Sequence, residues 1–206
     1  ENKQLLLEQQ TRQLQLNPHF IYNAIANLQG LIGDQQTERA NSYLVAFSQF
    51  IRKQLELNRE ETITLQEEIE AIEIYVKLQQ MRYENRFTFH VETDLDTEAY
   101  LLPPMLIQPF VENAIEHGFK NINYQGVLTL TIEEKDNKLH LILIDNGNGK
   151  GVSNPHKKSL SKLITQERLD LLFNTQQKGN AYFEAAPLSP PETGYRVIIV
   201  IPVIPS

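Results

Sequence analysis

Over the first 84 residues the apolar side chains fall at helical intervals. Leu7, Leu14, Ile21 and Leu28 are spaced by seven, and Ala24 and Leu31 fill the alternate positions. A seven-residue apolar repeat is a seam for packing against other helices, drawn from the same chain or from a second copy of it. Gly33-Asp34 ends this helix. A second is predicted from about Thr37, with Ala40, Leu44, Phe47, Ile51 and Leu55 on its apolar face. Thr64-Leu65-Gln66-Glu67 has the capping-box pattern and introduces a third, along which Leu65, Ile69, Ile72, Val76 and Gln79 follow helical spacing.

From about residue 86 the pattern changes. Phe87, Phe89 and Val91 alternate as in a half-buried strand. Pro103-Pro104 opens a helix predicted to run to about Phe119. Gly126 to Glu134 and Lys138 to Ile144 read as two strands joined at Asp136-Asn137, the second apolar enough from Leu139 onward to be a central strand. Gly147 to Ser161 reads as a loop, Ile164 to Phe173 as a short helix and Tyr195 to Val203 as a last strand. The expected fold is therefore α+β, with a helical region over 1–84, a mixed domain over 85–206 and a flexible junction near Tyr83–Arg86.

Composition narrows the classes. The 206 residues include no cysteine, which excludes disulfides, zinc–thiolate sites and thiol catalysis. A net charge of -7 argues against a nucleic-acid partner, which calls for a basic face. No apolar run approaches the ~20 residues of a membrane helix. The chain opens at Glu1, inside a helical pattern and without an initiator Met. It therefore reads as a fragment whose upstream region has room for membrane spans.

Three segments carry candidate chemistry. In Asn17-Pro18-His19-Phe20-Ile21-Tyr22-Asn23, His19 lies roughly 160° around the helix from Ile21 and 140° from Leu14, away from the seam. A proline inside a helix costs ~3 kcal/mol, so Pro18 calls for compensation or purpose. One purpose is a kink that presents the neighbouring imidazole, a nucleophile near neutral pH. The plainer alternative is a solvated histidine beside an incidental proline. In the helix Gln108 to Gly118, Asn113 and His117 are four apart and share a face, with Glu112 and Glu116 on the next one. An Asn amide oxygen suits a hard cation such as Mg²⁺, and Glu112 suits a general base; an ordinary wet polar face is the alternative. Asp145 ends an apolar strand, where a carboxylate can accept a hydrogen bond from an exocyclic amine, and Gly147 and Gly149 permit close backbone approach. No Walker A loop or Rossmann fingerprint occurs.

In this order the three segments resemble the LytS-like sensor histidine kinases, whose C-terminal half is a GHKL-type ATP-binding domain. Asn17 to Asn23 resembles the phospho-acceptor motif, Leu106 to Gly118 the N box, and Asp145-Asn146-Gly147-Asn148-Gly149 the first glycine box. Thr165-Gln166-Glu167-Arg168-Leu169 and the stretch Gly194 to Pro202 fit the family's C-terminal end. The resemblance implies a helical dimerisation hairpin or bundle over 1–84 and a GHKL-type α/β sandwich over 85–206. It implies ATP and Mg²⁺, with His19 as phosphate acceptor and Glu112 as general base. Asn113 would be metal-binding, His117 would lie near the phosphates, Asp145 at adenine, and Gly147 and Gly149 in the pocket wall, with a lid from about Lys150 to Ser161. It implies a homodimer, transfer of phosphate to the Asp of a response-regulator receiver domain, and the cytoplasmic side of an inner-membrane sensor.

Two departures stand out. Ser161 occupies a position where the family's second glycine box would carry Gly, within Lys158-Ser159-Leu160-Ser161-Lys162. His19 is followed by Phe20 rather than an acidic residue. A degenerate kinase acting as a dimeric scaffold and a GHKL ATPase without histidine phosphorylation stay open as alternatives.

Overall fold

The structure, a computed structural model, describes residues 18–149, 166–167, 169–173 and 180–205, with side chains from Phe20 onward. Leu7, Leu14, the loop over 150–161 and Ser161 lie outside the described residues, as does the side chain of His19.

The helical half comprises α1 (Pro18–Gly33), α2 (Thr37–Leu57) and α3 (Leu65–Arg82). Thr64 accepts the Glu67 amide at 3.1 Å while the Glu67 carboxylate accepts the Thr64 amide at 2.9 Å, so the predicted capping box is formed. The seam of α1 differs in detail. Phe20 and Ala24 are its most buried residues, and Phe20 packs on Phe50 at 4.9 Å and on Tyr75 at 5.6 Å between ring centroids. On α2 the predicted apolar face is only partly turned inward, with Ala40 buried and Phe47 and Ile51 packed on the core. Tyr43, Phe50, Gln54 and Leu57 are buried there, whereas Leu44 and Leu55 are each 48% exposed. The helix has two apolar faces, and periodicity alone does not say which one the fold covers.

A five-stranded sheet follows, in the order β2 (Phe87–Glu92), β4 (Gly126–Lys135), β5 (Lys138–Asp145), β7 (Tyr195–Pro202), β6 (Tyr182–Pro187). The β2–β4 pair is parallel and the other pairs antiparallel. Asp136 and Asn137 both have positive φ, 53° and 58°, the backbone of a two-residue hairpin turn matched to sheet twist. The central strand β5 buries Leu139, Leu141 and Leu143, but Ile144 on its other side is 37% exposed. Its apolar run therefore faces one core and one half-open surface rather than two covered ones. The edge strand β6 escaped prediction, since its alternation is weak and it ends on Pro187.

The two halves share one hydrophobic core that runs from Phe20 to Ile201. A two-residue strand β1 (Ile63–Thr64) pairs with β3 (Leu101–Leu102), directly ahead of α3, and the Leu101 amide donates to the Ile204 carbonyl beyond β7. The predicted helix from Pro103-Pro104 is shorter than expected. Met105 has φ of 60°, so the chain turns before α4 (Gln108–Asn113) begins with Pro109 in its first turn. The start of α4 is held from a distance. The buried carboxylate of Glu68 on α3 accepts the amides of Met105 and Ile107, each at 2.9 Å, and of Gln108 at 3.4 Å. These are orphan donors of a helix start, and a carboxylate is their strongest acceptor. Glu68→Gln replaces one acceptor oxygen by a donor group, and we expect a loss of about 2 kcal/mol, read as a lower urea midpoint.

Candidate active site

The segment after α4 departs from the α-helix. Ala114–Gly118 is π-helical, with the Phe119 amide donating to the Ala114 carbonyl at 3.0 Å. The turn widens the helix where Glu116 and His117 lie, one turn on from Asn113. The end of this segment is held from across the fold. The Asn148 amide donates to the Gly118 carbonyl at 2.9 Å, and its side chain donates to the carbonyls of His117 at 3.1 Å and Lys120 at 3.2 Å. The loop after β5 thus satisfies carbonyls at the helix end that have no partner within the helix.

That loop is itself pinned. Asn146 accepts the Val127 amide at 2.7 Å through its side-chain oxygen and donates to the Gln125 carbonyl at 3.1 Å, while its own carbonyl accepts from Tyr124 at 2.8 Å. These contacts fix the end of β5 and with it Asp145. The Asp145 carboxyl is 5% exposed and accepts the Gly147 amide at 2.8 Å. Burial pushes it up to about 6, against the pull of hydrogen bonds from the Gly147 and Tyr195 backbone. Glycine is required twice around it. A Cβ on Gly147 would overlap the Gly118 carbonyl, and one on Gly194, at φ of 135°, would overlap the carbonyl of Asp145. Gly149 faces Gly194 from the far side of the loop.

The structure therefore brings Asp145 and Gly147 against Gly118, the end of the segment that carries Asn113, Glu116 and His117, all three of which are half-buried, while Gly149 lies against Gly194. Glu112 is half-buried as well and accepts from the Gln108 side chain at 3.0 Å. Burial raises it to about 7, with the Gln108 bond opposing and the charge of Glu116 adding to the rise. Tyr75, fully buried, lies in the field of both glutamates; burial first and then these two charges push its hydroxyl well above the usual phenol value. The Tyr75 ring also packs on Phe20, the residue after His19. Sequence reasoning passed over Glu68, Asn146, Asn148 and Gly194. Only Gly194 carried a local signal, as a lone glycine at the start of a strand.

Among the described residues no group of three or more His, Asp or Glu side chains is arranged to hold a metal ion, and no helix is long and apolar enough to cross a membrane. A single amide oxygen fits a cation that arrives on phosphate oxygens and keeps much of its water, which is how Mg²⁺ is commonly bound.

An ionised Asp145 accepts a hydrogen bond from an amine, and protonation removes an acceptor. Ligand affinity is therefore expected to fall about tenfold for each pH unit below about 6 and to be level above 7. Binding of an amine-bearing ligand followed between pH 5 and 8 checks this.

The sequence and fold were compared with known proteins. A family model described as "Histidine kinase" matches residues 7–87. Sensor protein LytS of Staphylococcus epidermidis is 39% identical over 137 residues, 66% of this chain and 23% of that protein. Sensor protein LytS of Oceanobacillus iheyensis is 36% identical over 153 residues, covering 71% and 25%. A sensor histidine kinase/phosphatase LytS of Staphylococcus aureus is 34% identical over 141 residues, covering 68% and 24%. The chain thus spans about a quarter of the length of these relatives. Among solved structures, the nucleotide-free catalytic domain of the histidine kinase ThkA aligns with a TM-score of 0.50 at 16% identity, over 70% of this chain and 97% of that one, a likeness of fold.

Proposed function

The chain belongs to the LytS-like sensor histidine kinases, and from that premise we propose that it binds ATP in the α/β half and transfers the γ-phosphoryl group to the imidazole of His19. The observation that carries this reading is the junction of the Asp145–Gly149 loop with the Asn113–Gly118 segment through Asn148. It joins a buried acceptor for an amine to a turn rich in phosphate-directed groups, in a fold shared with a histidine kinase catalytic domain.

In this mechanism Asp145 accepts the adenine amine, and Gly147 and Gly149 let the nucleotide lie against backbone. His117 donates toward the phosphates, where Ser161 and the 150–161 lid would also act. Asn113 would hold Mg²⁺ through its amide oxygen; the cation supplies charge neutralisation at the phosphates. A nitrogen lone pair of His19 attacks the γ-phosphorus, the bond to the β-phosphate oxygen breaks, and ADP leaves. The imidazole sheds the proton from its other nitrogen, and Glu112, raised toward neutrality, is the base assigned to accept it.

Residues 1–84 then serve dimerisation and phosphate acceptance and 85–206 nucleotide binding, with α3 packed on both α2 and α4. The uncovered apolar side chains of the hairpin, Tyr22, Ile25 and Ile32 on α1 and Leu44 and Leu55 on α2, suit a second copy of the chain. The receiver domain of a response regulator is the proposed recipient of the phosphate, and a membrane sensor the proposed source of the signal. The test is incubation with γ-labelled ATP and Mg²⁺: the reading expects protein-bound label that survives base and is lost in acid, and absence of label overturns it.

A further inference from the structure

The stripe of α2 that faces the interior contains one residue that does not suit it. Ala40, Tyr43, Ala46, Phe50 and Leu57 are the side chains expected of a core, yet Gln54 among them is fully buried. A buried amide is costly unless paired, and an apolar side chain of the same shape would pack there without that cost. Gln54 has one partner: its amide nitrogen donates to the Gln108 side-chain oxygen at 2.8 Å, across 54 residues of sequence. The nitrogen of Gln108, equally buried, donates in turn to the Glu112 carboxylate at 3.0 Å. The backbone under Gln108 is held by Glu68, so the amide stands on a fixed base.

The order of these bonds matters. The two ends of a glutamine amide have nearly the same shape but opposite hydrogen-bonding character. If Gln108 turned over, it would present an oxygen to the Glu112 oxygens. The Gln54 donor meets the Gln108 oxygen at the other end, which leaves the Gln108 nitrogen for Glu112. The Gln54 oxygen has no partner, so the residue serves the network through its donor alone.

We propose that Gln54 and Gln108 are positioning residues for phosphoryl transfer: Gln54, on the hairpin helix α2, fixes the orientation of the Gln108 amide, which holds the Glu112 carboxylate in one direction beside Asn113. The same chain couples the hairpin to the α4 segment, so that a displacement of α2 is felt at Glu112 without contact between α2 and the nucleotide. The inference rests on the assignment of Glu112 under the proposed function.

The test uses Gln54→Met, which keeps length and volume and removes the donor, alone and combined with Glu112→Gln in the full chain. Autophosphorylation by Gln54→Met is expected to show kcat reduced about tenfold with KM for ATP changed less than twofold, and an unaltered or higher Tm. In the Glu112→Gln background the same substitution should change kcat less than twofold, because the group it positions is gone. In amide-resolved NMR the Gln108 side-chain NH₂ should be slow to exchange in the wild type and fast in Gln54→Met. A kcat loss that multiplies with that of Glu112→Gln, or a loss accompanied by a lower Tm and raised KM, overturns the inference and leaves the function standing. Wild-type kcat in Glu112→Gln overturns the role of Glu112, and the inference falls with it. An unchanged Gln108 NH₂ signal in Gln54→Met overturns it whatever the activity.

Discussion

His19→Gln is expected to take up no phosphoryl group from ATP, while its affinity for ATP stays within twofold of the wild type. The two readouts separate because acceptor and nucleotide site belong to different elements. His19 lies in the first turn of α1, immediately before the Phe20 ring seated between Phe50 and Tyr75. The groups assigned to the nucleotide lie on α4, on the π-helical turn and after β5. Gln has about the length of His and forms helix readily, so the substitution removes the nucleophile without disturbing the packing of Phe20. Filter-retained label measures the first quantity and nucleotide fluorescence the second. If His19→Gln binds ATP but still becomes labelled, the acceptor has been misassigned.

Asp145→Asn is expected to weaken ATP binding about a hundredfold at pH 7.5 and to make the folded chain more stable at the same pH. An asparagine offers a neutral acceptor in place of a charged one and brings a donor that opposes the adenine amine. The stability change has the opposite sign for a definite reason. The Asp145 carboxyl is raised from 3.8 to about 6, so the folded state binds its proton more tightly than the unfolded state. Stability from this group therefore rises as pH falls from about 6 toward 4, and above 6 the ionised carboxylate costs the fold up to about 3 kcal/mol. Asparagine removes that cost and keeps an oxygen for the Gly147 amide. The gain in Tm should be present at pH 8 and vanish near pH 4. Gly194→Ala gives the contrast: its Cβ drives into the carbonyl of Asp145, so both nucleotide binding and stability should fall.

What the sequence made legible was local. The capping box at Thr64, the hairpin at Asp136-Asn137 and the termination of β5 at Asp145 each depend on residues within a few positions of one another, and each is present. What it hid was long-range. The start of α4 is held by Glu68 on another helix, and the end of the π-helical turn is bonded by Asn148 in a loop thirty residues on. The choice between the two apolar faces of α2 depends on what lies beside it, which spacing cannot encode. Gln54 lay off the apolar face read from spacing, and its place in the core showed only with Gln108 opposite. The segments around His19, Asn113 and Asp145 stood out through their resemblance to the family's motifs, not through any packing pattern.

The central claim concerns one nitrogen-bearing side chain among the five histidines of the chain. Brief exposure of the wild-type protein to ATP and Mg²⁺, followed by fragmentation at neutral or alkaline pH and mass spectrometry, locates the phosphoryl group directly. The account predicts a single phosphorylated residue, His19, in the peptide that spans Asn17 to Asn23. Phosphate on His90, His117, His140 or His156, or on a hydroxyl side chain in place of His19, would contradict it.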